Sequence, residues 1–197
     1  QNFLELSGDG VSEFMIHGID KMSWAMGDAI PVKCYANGGN TVPVIGGNTW
    51  DQFSLRYEYA DGRSADFLGR QIPGTYAASG DRITGSKGHA IATGRGVSLV
   101  RDGKTIWKGS GALGYVNEHK ILIDHIRKGK VYNDVIGKFD NTHALCIMGR
   151  TAAYTGSLIT HKQLMGSSDV LIDTKGLNFK TPFTARKSAL PGKTKFI

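Results

Sequence analysis

Glu13, His17, Asp20 and Trp24 recur at spacings of four, three and four within Ser7–Gly27, SGDGVSEFMIHGIDKMSWAMG. On a helix of 3.6 residues per turn, those spacings place all four side chains on one face. A carboxylate one turn before a histidine fixes its tautomer and raises its basicity, which suits general acid/base chemistry near neutral pH. The same spacing also serves an ordinary helix pair, and the residues alone leave both readings open.

Other residues offer chemistry with less pattern behind it. Trp24, Trp50 and Tyr76 have ring faces on which a sugar could stack, and each is equally a core residue type. His119 sits beside Glu118 at the start of a second helical run, where helix N-terminal N–H groups favour an oxygen-rich ligand. The plainer reading of His119 is a packed imidazole donating one hydrogen bond. His125 and His143 lie downstream, but no H-E-x-x-H spacing links any histidine to Glu13 or Asp20, and no metal is assigned. No serine or cysteine stands in a G-x-S-x-G setting.

Two glycine-rich runs invite a phosphate reading. GSGALG, Gly109–Gly114, matches G-x-G-x-x-G and precedes a helical pattern, with Asp134 at about the right distance for a ribose hydroxyl. The strand before it, Lys104–Lys108, is short and charged, VYNDVI is a poor buried strand, and no second βαβ unit follows. A connection between sheet and helix explains the run better. ATGRG, Ala92–Gly96, reads more simply as a turn between strands than as an anion cradle.

The elements that would position these residues follow from periodicity. The opening helix stops at Gly27, and Ile30–Ala36 is a strand entered through Pro31. Trp50–Tyr59 alternates, with Phe53, Leu55, Tyr57 and Tyr59 on one side, which predicts a strand covered on one face. Ala60-Asp61-Gly62 turns it back into a partner strand over Arg63–Gln71. Short apolar bursts between Arg82 and Trp107 read as further antiparallel strands. Tyr115–Lys128 is helical, with Val116, Leu122, Ile123 and Ile126 on its apolar side, and Thr142–Tyr154 is a second helix. Leu158–Met165 adds a short helical stretch. The expected fold is α+β, an open and mostly antiparallel twisted sheet of about six strands with helices packed on one face. The other face is then a candidate surface for a homo-oligomer.

Size and composition bound the rest. The chain has 197 residues, which predicts a single domain spanning 1–197, with a basic, surface-lying tail from about residue 166. Lys and Arg total 24 against 17 Asp and Glu, a charge of +7 that permits anionic partners without specifying one. Basic residues interleaved with exposed aromatics are missing, so no nucleic-acid role is expected. No apolar run is long enough for a membrane span, and no targeting segment lies within the chain, which leaves cytoplasmic and exported locations open. Cys34 and Cys146 read as buried, small apolar residues.

Several of these stretches together carry a family likeness. SGDGVSEFMIHGIDKMSWAMG, GGNTWDQFSLRYEYADG, RITGSKG, YVNEHKILIDHIRKGKVYND and MGRTAAYTGSLIT, in that order, resemble the C-terminal domain of the Gfo/Idh/MocA (glucose-fructose oxidoreductase and inositol dehydrogenase) family. The resemblance implies a two-domain enzyme, in which an N-terminal Rossmann domain binds NAD or NADP and the C-terminal domain contacts a sugar or polyol. It implies that His17 matches the acid/base histidine, that Glu13 stands where an aspartate is common, and that Asp20 matches the acid of H-x-x-D. By the same likeness His119 and Trp50 lie near the substrate pocket, with Trp24 a further substrate contact. Neither a Rossmann fingerprint nor the lysine of the family's E-K-P motif occurs here, so no cofactor is expected on this chain alone, and a missing Rossmann domain or a separate nucleotide-binding chain is the implied partner. Ser7–Asp9 leans toward the NAD-dependent glycosidases of the family. The alternatives are a stand-alone scaffold or carbohydrate binder, and a lyase or epimerase acting on 3-keto sugars.

Overall fold

The alternation around Trp50–Tyr59 is the seed of the larger of two units into which the chain divides, residues 1–75 with 138–197 and residues 76–137. The computed structural model describes residues 2–43, 45–94, 96–111, 113–132 and 138–197. In the first unit, β1 (Lys33–Gly39), β2 (Gln52–Glu58), β3 (Ser64–Arg70) and β8 (Ile159–Thr160) form an antiparallel sheet in the order β3-β2-β1-β8. Phe53, Leu55, Tyr57 and Tyr59 are all buried on its inner face.

The outer face carries Gln52, Ser54, Arg56 and Glu58, with Arg56 paired to Asp66 at 2.8 Å and Lys33 to Glu58 at 2.9 Å. Tyr35 and Leu68, register partners of Arg56 and Ser54, are the large apolar side chains exposed among them. The face left uncovered by helices is therefore mostly polar.

Helices cover the inner face. α1 (Leu4–Ser7) precedes the stretch expected as one helix, Ser7–Gly27, and α2 (Gly10–Glu13) and α3 (Ile16–Ala25) occupy it. The continuous helix is thus corrected to two segments. Gly8 and Asp9 adopt φ of +74° and +72°, which ends α1, and the N–H groups of Phe14 and Met15 both converge on the Gly10 carbonyl in a widened turn between α2 and α3. α3 stops as expected, with Gly27 at φ +70° and Asp28 N–H returning to the Ser23 carbonyl. Gly18 is what lets α3 approach the sheet: a Cβ there would stand 2.7 Å from the Phe67 ring of β3.

α5 (Phe139–Thr155) lies across β1 and β2, burying Leu145, Cys146, Met148, Ala152 and Ala153. Both cysteines are free and buried, and burial pushes each thiol up to about 12. The run after α5 forms β8 and then α6 (His161–Met165), which opens on a capping box between Thr160 and Gln163. The tail returns along the body, where the Arg186 N–H donates to Glu5 at 2.7 Å and the Gly192 N–H to the Thr155 carbonyl at 2.9 Å.

The second unit is a meander, β4 (Gly80–Gly85), β5 (Gly88–Thr93), β6 (Gly96–Arg101) and β7 (Lys104–Gly109), paired antiparallel in sequence order and followed by α4 (Gly114–Arg127). No α4 residue is buried, and its stripe of Val116, Leu122, Ile123 and Ile126 faces outward. The fold is α+β, as the periodicity predicts. Among the described residues its strands number eight and fall into two sheets of four rather than about six in one, because the bursts between residues 80 and 109 pair consecutively with one another. Arg95 of ATGRG, Ala112 of GSGALG, and Asn133 and Asp134 lie outside the described residues. Among the described residues, no helix is long and apolar enough to cross a membrane.

Candidate functional site

His17 stands on the first full turn of α3 with its side chain exposed, and Asp20 lies one turn on, half-buried. Asp20 is fixed from behind: Thr142 Oγ1, on the first turn of α5, donates to its carboxylate at 2.7 Å. Glu13 belongs to α2, on the far side of the widened turn, and among the described residues no hydrogen bond or ion pair joins it to His17. Trp24 is 60% exposed near the end of α3. The face carrying His17, Asp20 and Trp24 therefore sits on one helix, held from below by the Gly18–Phe67 contact and from the side by Thr142.

The other two residues lie elsewhere. Trp50 is a core residue, its ring centroid 5.7 Å from Phe53 and 4.7 Å from Tyr154. His119 is in the second unit, exposed on α4, with Nδ1 2.6 Å from the Tyr115 carbonyl and 3.5 Å from Glu118. No cluster of His, Cys, Asp and Glu suited to a metal occurs among the described residues.

Between the α1–α2 connection and α5 lies a polar cluster that spacing does not reveal. Asp9 is fully buried between α1 and α2. Its carboxylate accepts from the Tyr154 hydroxyl, from the Gly10 N–H and, at 3.0 Å, from the Trp50 N–H. Arg150, one turn before Tyr154 on α5, donates from Nη1 to the Gly8 carbonyl at 2.7 Å. SGD and MGRTAAYTG thus meet in space, and the cluster ties the approach to α3 onto α5. The sequence does contain one local signal for Asp9, an acceptor side chain directly before a helix start.

Burial raises the Asp9 carboxyl above its ordinary value of 3.8, against the lowering pull of its hydrogen bonds and of Arg150. The folded state then holds this proton more tightly than the unfolded chain does. Its contribution to stability is complete below 3.8 and is lost as pH rises through the raised folded value. In urea titrations, the difference between wild type and Asp9→Asn is expected to move in favour of wild type as pH falls from about 7 to about 4, then to level off. A difference that stays flat across that window would remove Asp9 as the titrating group.

No protein-family model matches the chain, and no curated protein does. Solved structures do. A Sinorhizobium meliloti protein assigned as a myo-inositol dehydrogenase superposes with TM-score 0.57 at 20% identity, covering 80% of this chain and 51% of that one. UDP-N-acetylglucosamine 3-dehydrogenase from Acidithiobacillus ferrooxidans gives 0.60 at 17%, covering 74% and 47%. An Agrobacterium radiobacter oxidoreductase, in complex with NAD+, L-tartaric acid and magnesium, gives 0.56 at 14%, covering 77% and 49%. The fold is that of the Gfo/Idh/MocA-type oxidoreductases. This chain spans about half the length of each of the three.

Within the Gfo/Idh/MocA-type fold, the dinucleotide reading of Gly109–Gly114 can be tested directly. β7 is an exposed edge strand paired antiparallel with β6, and every strand pairing in both sheets is antiparallel. A dinucleotide cradle needs a buried parallel strand feeding a crossover helix. The described residues of this run do not fit one.

Proposed function

We propose that this chain is the substrate-binding and acid/base part of an NAD(P)-dependent oxidoreductase acting on a sugar or polyol. The observation that carries the reading is the exposed imidazole of His17 on α3, with Asp20 one turn away and anchored to α5 through Thr142. Names of two structural neighbours, a myo-inositol dehydrogenase and a UDP-N-acetylglucosamine 3-dehydrogenase, support the substrate class. A nicotinamide ring held by another domain or chain would accept the hydride.

The work left to this chain is proton handling. His17 takes the proton from a substrate hydroxyl as the carbon beneath it loses hydride, and the reverse reaction returns that proton to the alkoxide. Asp20, held by Thr142, stands one turn from His17, while Trp24 offers an exposed ring face against which the substrate ring can lie. Residues held on a helix packed against a sheet keep such a geometry better than loop residues do.

Two measurements test the reading. With the His17 ring resonance assigned by its loss in His17→Gln, myo-inositol or glucose is expected to shift that resonance saturably and to leave His125 unmoved. Saturable binding that leaves His17 in place would put the substrate elsewhere. In the natural protein, whose intact mass is expected well above 21.3 kDa, His17→Ala is expected to lower kcat by about 10²- to 10⁴-fold. Dehydrogenation unimpaired by that change would defeat the acid/base role.

A further inference from the structure

A cavity of about 550 Å³ lies inside the first unit, walled by one face of α5, by α6 and by the returning tail. α5 contributes Ala144, Ile147, Arg150 and Thr151 from the face turned away from the sheet, with Tyr154, whose ring also packs on Trp50 and Phe53. Leu164, Leu171 and Phe196 close the apolar wall from α6 and the tail. Its volume falls within the range of small-molecule sites. His17 does not line it.

Arg150 is the unusual member. It is only 7% exposed, and among the described residues its one hydrogen bond is the Nη1 donation to the Gly8 carbonyl. A guanidinium has five N–H donors in a planar fork. No carboxylate lies within ion-pair distance of it among the described residues; the Asp9 charge acts on it from farther off, and that carboxylate already accepts from Tyr154, Trp50 and Gly10. Buried cations are ordinarily paired. Around the cavity, Arg186 is neutralised by Asp169 at 2.9 Å, which leaves Lys187 and Lys195 with Arg150 against Asp140. The lining is thus apolar in its walls and cationic at one buried point and on the tail.

We propose that this cavity binds an amphipathic anion, with its acid group on Arg150 and its apolar body along Ala144 and Ile147. Carboxylates and phosphate monoesters share the required chemistry, since each offers two coplanar oxygens to a guanidinium fork. The site does not depend on the acid/base reading of His17.

Calorimetric titration of the 197-residue chain with decanoate, decyl phosphate and decanol, each below its micelle threshold, tests the proposal. One or both acids are expected to bind saturably, at least about tenfold more tightly than decanol. Arg150→Met is expected to weaken the acids by at least about tenfold and to leave decanol unchanged, while Ala144→Phe, which fills the cavity without touching the cation, abolishes binding of all three. Should Arg150→Met fail to fold, Arg150→Lys keeps the charge without the fork and is expected to weaken the acids several-fold. Acid binding that survives Ala144→Phe, decanol binding equal to that of the acids, or no acid binding by the folded wild-type chain would each overturn the site.

Discussion

Asp9→Ala is expected to lower the unfolding free energy of the first unit by about 4 kcal/mol in urea titrations at neutral pH. Three donors converge on this carboxylate, the Tyr154 hydroxyl and the N–H groups of Gly10 and Trp50, and all are buried. Removing the acceptor leaves them unpaired, at about 1–3 kcal/mol each before relaxation. It also withdraws the negative charge that acts on the buried Arg150. Asp9→Asn is the sharper control. It keeps the shape and one acceptor oxygen but turns an amide NH₂ toward groups that donate, so about half the loss is expected. A loss under about 1 kcal/mol for Asp9→Ala would mean that water replaces the carboxylate and that the cluster does not hold α1 and α2 onto α5.

The reason this cluster escapes a reading of the sequence is distance along the chain. Asp9 and Tyr154 are separated by 145 residues, and neither carries a spacing that points to the other. Local features behave differently. The β2–β3 hairpin is readable because alternation at Phe53, Leu55, Tyr57 and Tyr59 fixes the buried face, and Asp61 supports the turn through the Arg63 N–H. α5 is likewise readable, except that it begins at Phe139 rather than at Thr142, so Thr142 has no helix start to cap. Thr142 spends its hydroxyl on Asp20 instead.

The division into two sheets follows from strand pairing, which the sequence expresses only as a list of short bursts. The bursts between residues 80 and 109 pair with the next in sequence, so neighbours in sequence become neighbours in space and form a sheet of their own. For the site, the helical spacing places His17, Asp20 and Trp24 on α3 and misplaces only Glu13, which stands before the turn at Phe14 and Met15. At that turn Met15 packs against Gly69 of β3, a tertiary contact invisible to periodicity.

Gly149→Val should test the seat of α5 itself, with an expected loss of about 4 kcal/mol. A Cβ at 149 would lie 2.5 Å from the Tyr57 hydroxyl oxygen and 2.7 Å from Leu55 Cδ1. Tyr57 is 0% and Leu55 1% exposed, so neither can swing into solvent. The helix must lift instead. Overpacking of this kind costs about 1–3 kcal/mol, and lifting α5 also breaks the 2.8 Å bond from the Tyr57 hydroxyl to the Leu145 carbonyl, stranding two buried groups for about 1–3 more. Gly111→Ala, where a Cβ would meet nothing within 4 Å, is expected to change stability by less than about 0.5 kcal/mol. Because Thr142 and Tyr154 ride on the same helix, the lift carries both away from their partners, and the Asp20 and Asp9 contacts loosen together. Amide exchange should therefore rise in α2 and α3 as well as in α5 for Gly149→Val; protection lost in α5 alone would show that the two helical segments do not depend on it.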